Sequence, residues 1–343
     1  MYTLPVGIRA SSVLRTLVVL TFLVMIFIVY AYYPEVVYSQ RKFSGDRGRD
    51  SLSSKHLTSS LLKYLTYNAT ELADKALGIM SKHMWLHVKP AMTSNERLTV
   101  HLLLKEFVKI CDMFNITDYF LFSGTLLGSY RHHGLQPWDD DIDILMRYSD
   151  QGRILNAFRN YTNQSEEVTV VFMYTRLKLF HRNQSVAILP YPHRWPFLDM
   201  SFYHENETHI WEVYLDGVKK YHVVEKSLIF PLHHRPFEAV MINSPRDAYA
   251  VLKLLFRDAG CVPLTWVHRS EIFPTCNITH FECKEVAPIY PFVHRKAVDS
   301  CIEESLWVND TLLYTLLIKE PTYAVTKPYL LELVTATTPL PNI

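Results

Sequence analysis

The sequence lacks a large net charge of either sign. Its 35 lysine and arginine residues almost balance its 34 aspartate and glutamate residues, and the formal net charge is +1. Nucleic-acid-binding surfaces are usually strongly basic, so this balance argues against a nucleic-acid partner. Internal repeats and low-complexity tracts are also absent from the sequence. Because 49% of the 343 residues are hydrophobic, we expect one sizeable core.

Cysteine is scarce, with five residues in the chain. Cys111 lies on the apolar face of a predicted helix, where we expect a buried free thiol. The other four follow the predicted core: Cys261, Cys276, Cys283 and Cys301. They contain no Cys-x₂-Cys pair, so two disulfides in an oxidising compartment are favoured, with the pairing left open. A zinc site that combines these cysteines with His268 and His280 is the alternative.

Charged residues are absent from residues 17–33, a stretch long enough to cross a thin bilayer. The segment has no small-residue cleavage site, and it ends in tyrosines of the kind found at membrane interfaces. We therefore predict a transmembrane signal anchor at residues 17–33, after a cytosolic tail at residues 1–16. A polar, serine-rich stem with some helix is predicted at residues 34–92, and the catalytic domain at residues 93–343.

The orientation of this anchor does not follow from charge, because more basic residues flank it on the C-terminal side than on the N-terminal side. The N-glycosylation sequons decide the orientation instead, since all eight follow the anchor. Their asparagines are Asn68, Asn115, Asn160, Asn163, Asn183, Asn206, Asn277 and Asn309. We predict a single-pass type II glycoprotein of the Golgi membrane, or of the endoplasmic reticulum, with a lumenal catalytic domain.

The most informative stretch, residues 124–144, joins a glycine turn to a cluster of four aspartates: Asp139, Asp140, Asp141 and Asp143. Carboxylates this close repel one another unless a cation lies among them. The alternation of Asp141 and Asp143 with isoleucines predicts a strand that carries both carboxylates on one face. Paired carboxylates of this kind suit Mg²⁺ or Mn²⁺. A solvated acidic turn, the alternative, does not explain the alternation.

The glycine turn precedes the aspartates and follows a predicted buried strand at residues 118–123. Residues 125–132 are predicted to form a short helix that ends at Gly134. Gly124 and Thr125 then present backbone N–H groups at a helix N-terminus, which is a site suited to phosphate. Arg131 lies close enough to reach the same phosphates, or to pair with Asp139 or Asp140.

A third carboxylate is expected from Asp199, which stands alone in an apolar, strand-like run. Asp199 is predicted to bind metal or to accept a proton from the acceptor hydroxyl, and a structural pair with Arg194 at a sheet edge is the alternative. Arg176 and Lys178 alternate on another predicted strand and are candidates to bind a diphosphate. Solvated or edge-protecting cations are the alternative for that pair.

Periodicity predicts the remaining elements. An amphipathic helix is expected over residues 95–114, and a closing helix over residues 245–256. Strand-like runs occupy residues 168–174, 185–189, 197–203, 211–215 and 239–242. Trp138 is interpreted as a packing anchor for the aspartate loop. The doublets His132-His133 and His233-His234 are expected in loops, solvated or hydrogen-bonded, and receive no catalytic role.

Three segments together resemble the signature of the LicD/fukutin-related family: Gly124-Thr-Leu-Leu-Gly, Arg131-His-His-Gly134 and Pro137-Trp-Asp-Asp-Asp-Ile-Asp143-Ile. Two later segments are similar to the family as well, Ser227-Leu-Ile-Phe-Pro-Leu and Ile242-Asn-Ser-Pro-Arg-Asp-Ala-Tyr. The resemblance covers about residues 95–263, and it weakens at residues 253–257. It implies an α/β (α+β) fold, namely a nucleotidyltransferase-like mixed sheet with flanking helices.

The resemblance also implies an activity. Members of the family transfer a phosphorylated small alcohol, such as an alditol phosphate or phosphocholine, from a CDP donor to a glycan. We therefore expect a Mg²⁺- or Mn²⁺-dependent phosphotransferase that acts on a CDP-linked donor and a glycan or glycoprotein acceptor. Asp141, Asp143 and Asp199 are the expected catalytic metal ligands. A glycosyltransferase that uses a nucleoside-diphosphate sugar, or a non-catalytic binding protein of the same fold, is the alternative.

Overall fold

The computed structural model describes residues 69–213, 221–256, 261, 266–273, 282–298 and 301–318. The predicted cytosolic tail and anchor, and most of the predicted stem, lie outside these residues and stay predictions. Among the residues described, no helix is both long enough and apolar enough to cross a membrane.

The described residues contain both helices and strands. The helices are α1 (Ala69–Leu77), α2 (Lys82–Val88), α3 (Ser94–Met113), α4 (Ser123–His132), α5 (Gln151–Gln164), α6 (Lys226–Ile229), α7 (Ala248–Leu255) and α8 (Cys283–Val286). The strands are β1 (Tyr119–Leu121), β2 (Ile142–Arg147), β3 (Val168–Met173), β4 (Arg176–His181), β5 (Val186–Ala187), β6 (Arg194–Trp195), β7 (Phe197–Glu205), β8 (His209–Glu212), β9 (Tyr221–Glu225), β10 (His233–Phe237), β11 (Val240–Ser244), β12 (Phe292–Val298), β13 (Cys301–Val308) and β14 (Thr311–Ile318).

The central sheet has the strand order β1-β2-β7-β4-β3. Only the β2–β7 pair within this order is parallel, and the other neighbours are antiparallel. Strand β8 pairs with the C-terminal part of β7, and β9 pairs with β8. Helices α3 and α5 pack on the sheet, while α4 packs against β2 and α7. The predicted fold class, a mixed α/β fold with a mixed sheet and flanking helices, is confirmed.

Helix α3 confirms the helix predicted over residues 95–114. A capping box starts it, in which the Thr93 hydroxyl accepts from the Glu96 N–H and the Glu96 carboxylate accepts from the Thr93 N–H. Such a cap is worth about 1 kcal/mol. The apolar face is buried, and Phe107 contacts Tyr119 of β1 at 4.9 Å and Phe158 of α5 at 5.9 Å between ring centroids. Helix α3 is therefore fixed to the sheet by aromatic packing.

The turn between β1 and α4 differs in detail from the predicted glycine turn. Ser123 is the residue in the left-handed region, with φ 49°. Gly124 is needed for space, because a Cβ there would lie 3.0 Å from the Asp139 carboxylate. At the other end of α4 the left-handed residue is His133, with φ 55°, and not the predicted Gly134. The turn therefore depends on the aspartate loop that folds against it.

The doublet His132-His133 does not lie in a loop, since it forms the C-terminal end of α4, and both residues are buried and hydrogen-bonded. His133 contacts the Tyr314 hydroxyl through Nδ1 at 2.8 Å and the Glu304 carboxylate through Nε2 at 2.7 Å. Glu304 also accepts from Arg235 at 2.7 Å and from Arg295 at 2.7 Å. This network joins α4 to the sheet of β12, β13 and β14, so the C-terminal sheet is part of the domain.

One disulfide lies within the described residues, between Cys261 and Cys283. It excludes these two cysteines from the alternative zinc site, so that alternative is wrong. Cys111 is a buried free thiol, as predicted. Cys301 has no disulfide partner within the part of the chain that the structure covers, and Cys276 lies outside that part.

Helices α1 and α2 belong to the predicted stem and pack on the C-terminal region. Ala76 and Val88 are completely buried in one cluster with Trp138 and Cys283. The Tyr290 hydroxyl donates to the Val88 carbonyl at 2.8 Å. Trp138 is thus a packing residue, in agreement with its interpretation as an anchor. The start of the catalytic domain at residue 93 stays a prediction, and experiments are best made with the full chain.

Replacing Gly128 with alanine should destabilise the fold, because a Cβ there would lie 2.4 Å from the Gly134 carbonyl oxygen. We expect the free energy of unfolding to fall by about 1–3 kcal/mol, the usual cost of overpacking. Gly152→Ala in α5 is the matched control, since no described atom lies within 4 Å of its added Cβ. That control should be neutral or stabilised by up to ~1 kcal/mol. Equal urea denaturation curves for the two variants would contradict the close approach of Gly128 to the Gly134 carbonyl.

Candidate metal centre

The sheet register brings the predicted site residues together. Asp143 of β2 is the register partner of Asp199 in β7, and Asp199 is the register partner of Lys178 in β4. Asp141 immediately precedes β2, and oxygens of Asp141, Asp143 and Asp199 lie within 4.8 Å of one another. Three carboxylates predicted from separate positions in the sequence therefore form one cluster, although their role stays a prediction.

Two carboxylate oxygens of this cluster are suited to binding a cation. Asp141 Oδ2 and Asp199 Oδ1 are buried and have no hydrogen-bond partner among the residues that the structure describes. Burial raises the pKa of Asp141 and of Asp143 well above the ordinary range, and the neighbouring carboxylates raise it further. Unpaired buried carboxylates are costly, and a divalent cation bound to these oxygens would remove the cost.

Asp199 is paired with cations on β4. Its Oδ2 accepts from Lys178 at 3.0 Å and from Arg176 at 3.1 Å. Burial alone would raise the pKa of Asp199, but the two cations hold it at about 2. The alternative pair with Arg194 is wrong, because the Arg194 guanidinium donates to the carbonyls of Arg182 and Ser185 instead. Arg194 is near Asp199 in the sequence, whereas the observed partners of Asp199 lie on the adjacent strand β4.

Arg176 connects three acidic residues. It contacts Asp199 at 3.1 Å, Asp143 at 4.0 Å and Glu212 of β8 at 2.8 Å. Strand β4 lies between β7 and β3, so the alternative of an edge-protecting cation is wrong. Lys178 is buried with its ammonium 3.7 Å from the centroid of the Phe197 ring. In this arrangement both cations balance carboxylate charge, and their predicted contact with a diphosphate stays a prediction.

The turn at Ser123–Thr125, which is predicted to bind phosphate, is attached directly to strand β2. The Thr125 hydroxyl accepts from the Asp143 N–H at 2.7 Å, and the Phe122 N–H donates to the Asp143 carbonyl at 3.3 Å. The Gly124 carbonyl accepts from the Gln136 side chain at 3.4 Å. Gly124 and Thr125 therefore lie beside Asp143, as a shared phosphate and metal site requires.

Arg131 is buried at the far end of α4. Its guanidinium donates to the Sγ atom of Cys261 at 3.4 Å, and burial lowers its pKa to about 10. This contact joins α4 to the disulfide, a connection that the sequence did not indicate. The predicted contacts of Arg131 with phosphate stay predictions.

The two aspartates that open the cluster have different surroundings. Burial, followed by repulsion from Asp143 and Asp140, raises the pKa of Asp139 to about 7. Asp140 accepts from two backbone N–H groups, that of His268 at 3.3 Å and that of Arg269 at 2.9 Å. Asp140 thus holds a turn from the C-terminal region against the site.

The position of His268 beside the carboxylates was not predicted from the sequence. His268 was a candidate only for the alternative zinc site, whereas its Nε2 lies 3.4 Å from Asp141 Oδ2. No spacing rule connects a histidine in a separate segment to the aspartate motif, so no signal in the sequence would have found it. Glu212, which binds Arg176, was missed for the same reason.

The described residues thus form a mixed sheet that carries three clustered carboxylates beside a strand–turn–helix. Residues 115–247 match the model described as LicD/FKTN/FKRP, nucleotidyltransferase domain. This match over residues 115–247 confirms the resemblance noted in the sequence.

Individual relatives are similar over parts of their length. The lipopolysaccharide cholinephosphotransferase LicD of Haemophilus influenzae is 36% identical over 74 residues, which are 21% of this chain and 28% of that protein. An uncharacterized protein of Rickettsia prowazekii is 31% identical over 112 residues, covering 29% of this chain and 42% of its own. An uncharacterized protein of Rickettsia typhi is 28% identical over 155 residues, which are 40% of this chain and 48% of that protein. The similarity thus spans less than half the length of each relative.

Replacing Asp141 with asparagine should raise the melting temperature of the metal-free protein, more at about pH 8 than at about pH 5.5. The pKa of Asp141 is raised above 3.8 in the folded chain, so its proton stabilises the fold at low pH. That contribution is lost as the pH rises through the folded pKa, and asparagine needs no proton. Each pKa unit corresponds to about 1.4 kcal/mol, or about 2–4 °C. Differential scanning calorimetry measures the difference.

The same variant should lose the rise in melting temperature that Mg²⁺ or Mn²⁺ causes in the wild type. Asp112→Asn, an exposed change on α3, is the matched control and should keep that rise. An Asp141→Asn protein that is unfolded, or that still responds to metal as the wild type does, would contradict a metal site at Asp141.

Proposed function

We propose that this protein is a divalent-metal-dependent phosphotransferase that moves a phosphorylated small alcohol from a CDP donor to a glycan. The supporting observation is the cluster of Asp141, Asp143 and Asp199, with two buried oxygens that accept no hydrogen bond from the described residues, beside a helix N-terminus. The match of residues 115–247 to the LicD/FKTN/FKRP domain supports phosphoryl-group transfer. The Haemophilus influenzae relative is a lipopolysaccharide cholinephosphotransferase, which supports the choice of a phosphorylated alcohol and a glycan.

The metal ion, Mg²⁺ or Mn²⁺, would be held by Asp141, Asp143 and Asp199. When bound, it would neutralise charge on the donor diphosphate and on the departing CMP. The backbone N–H groups of Gly124 and Thr125 would bind phosphate oxygens with the help of the α4 dipole. Because Thr125 also holds Asp143, these residues would keep the phosphate and the carboxylates in a fixed relation.

Of the two roles left open for Asp199, we propose the role of metal ligand. A proton acceptor works best when its pKa lies near the working pH, whereas Lys178 and Arg176 hold the pKa of Asp199 at about 2. An ionised carboxylate with one unpaired buried oxygen is suited to binding a cation. Arg176 and Lys178 would keep Asp199 ionised and would orient it.

The location that we propose is the lumen of the Golgi or of the endoplasmic reticulum, with residues 17–33 as the anchor. Two structural observations support it. The sequon asparagines within the described residues are all exposed, namely Asn115, Asn160, Asn163, Asn183, Asn206 and Asn309. The Cys261–Cys283 disulfide fits an oxidising compartment.

The full chain should hydrolyse a CDP conjugate or transfer its phosphorylated alcohol to an acceptor, and it should not use a UDP-sugar. Radiolabelled CDP-ribitol, CDP-glycerol and CDP-choline would be offered beside UDP-sugars and a glycan array, with EDTA and then added Mg²⁺ or Mn²⁺. We expect metal-dependent turnover that Asp143→Asn lowers by ~10²-fold or more, because even partners of metal ligands cost 10–100-fold. Asp112→Asn is the control. Turnover of UDP-sugars alone would support the glycosyltransferase alternative, and metal binding without turnover of any donor would support the binding-protein alternative.

Protein made in animal cells should lose mass on treatment with an N-glycosidase, because sequons are glycosylated only in the secretory lumen. Gel electrophoresis measures the shift, and the same chain made in bacteria is the control. A cell-made protein without any N-glycan would contradict the lumenal orientation, while the proposed chemistry would remain to be judged by the donor assay.

A further inference from the structure

The turn at residues 266–273 is attached to the carboxylate site from outside the matched domain, which ends at residue 247. Asp140 holds its backbone through the N–H groups of His268 and Arg269. The Arg269 guanidinium lies 3.9 Å from the centroid of the Trp195 ring and donates to Glu96 at 2.7 Å. The turn is therefore fixed to the aspartate loop, to β6 and to α3.

The other side of the turn is fixed as well. Glu271 accepts from the Trp266 indole N–H at 2.9 Å and contacts His193 Nε2 at 2.8 Å. The Val267 N–H donates to the Ile272 carbonyl at 2.9 Å and closes the turn. Because both sides of the turn are held, its backbone has little freedom to move. The side chain of His268, which projects from this turn toward the site, is therefore fixed in position.

That side chain is the His268 imidazole. Its Nε2 lies 3.4 Å from Asp141 Oδ2, and its ring meets Phe197 edge to face at 5.6 Å. Asp141 is 3% exposed, and its Oδ2 has no hydrogen-bond partner in the described chain. Ligand atoms of Asp140, Asp141 and His268 lie within 4.8 Å of one another. A buried carboxylate oxygen and an imidazole nitrogen thus face each other without a hydrogen bond.

This separation is close to the distance between two adjacent ligands of one octahedral metal ion. Ligand atoms about 2.1 Å from a shared ion lie roughly 3.0 Å apart when they subtend a right angle at the ion. Asp140 already accepts two backbone hydrogen bonds, so its part is to position the turn. Asp141 belongs both to the cluster with Asp140 and His268 and to the cluster with Asp143 and Asp199. It therefore connects His268 to the other two predicted ligands.

We propose that His268 is a nitrogen ligand of the metal centre, and that the centre therefore binds Mn²⁺ in preference to Mg²⁺. Mg²⁺ takes oxygen ligands almost exclusively, whereas imidazole is a ligand of transition metals. The inference rests on the metal centre of the proposed function and adds to it. The matched domain supplies the oxygen ligands, and the turn at residues 266–273 supplies the nitrogen that selects the ion.

Pulsed electron paramagnetic resonance of Mn²⁺ bound to the full, metal-stripped chain tests the proposal directly. The wild type should show hyperfine coupling to a histidine nitrogen, and His268→Gln should lose that coupling. By titration calorimetry the variant should bind Mn²⁺ at least ~10-fold more weakly, on the scale of lost metal-site contacts. Its affinity for Mg²⁺ should change by less than about 3-fold, since Mg²⁺ gains little from a nitrogen ligand.

His83→Gln, an exposed histidine change on α2, is the matched control and should keep both the coupling and the Mn²⁺ affinity. Bound Mn²⁺ without nitrogen coupling in the wild type would overturn the proposal, and this measurement does not depend on the folding of any variant. Metal binding that Asp141→Asn abolishes and His268→Gln leaves unchanged would remove only His268, and the proposed function would stand. A folded wild type that binds neither ion would overturn both.

Discussion

The placement of several carboxylates in a buried space is the constraint on which the rest of this structure depends. Asp143 and Asp199 are neighbours on the one parallel strand pair of the central order, where water screens their repulsion poorly. The chain compensates on one side with Lys178 and Arg176 from the adjacent strand. Two carboxylate oxygens still accept no hydrogen bond from the described residues, and a bound cation would balance their charge.

The scaffold around this cluster restricts movement from two directions. Thr125 binds the backbone of Asp143, so the turn before α4 follows the carboxylate strand. The opposite end of α4 is held by the contact of His133 with Glu304 and by that of Arg131 with Cys261. Helix α4 therefore links the C-terminal sheet and the disulfide to the turn at Ser123–Thr125, which lies beside Asp143.

Local patterns in the sequence predicted those parts of the fold that depend on neighbouring residues. Helix α3 followed from apolar periodicity, β2 from the alternation of aspartate and isoleucine, and Asp199 from its isolation in an apolar run. Pairings between distant residues were beyond such patterns. The alternative partner considered for Asp199 was the nearby Arg194, whereas its observed partners come from β4. His268 reaches the site through a turn that has no sequence signature.

The contact between His133 and Glu304 also has a consequence for synthesis. A ribosome makes His133 and the carboxylate cluster well before it reaches Glu304, which supplies a buried hydrogen-bond partner of His133. The buried network can therefore close only after the last described sheet has been synthesised. A premature stop codon between His268 and Glu304 would leave every proposed ligand in the chain and still leave His133 without its buried carboxylate partner.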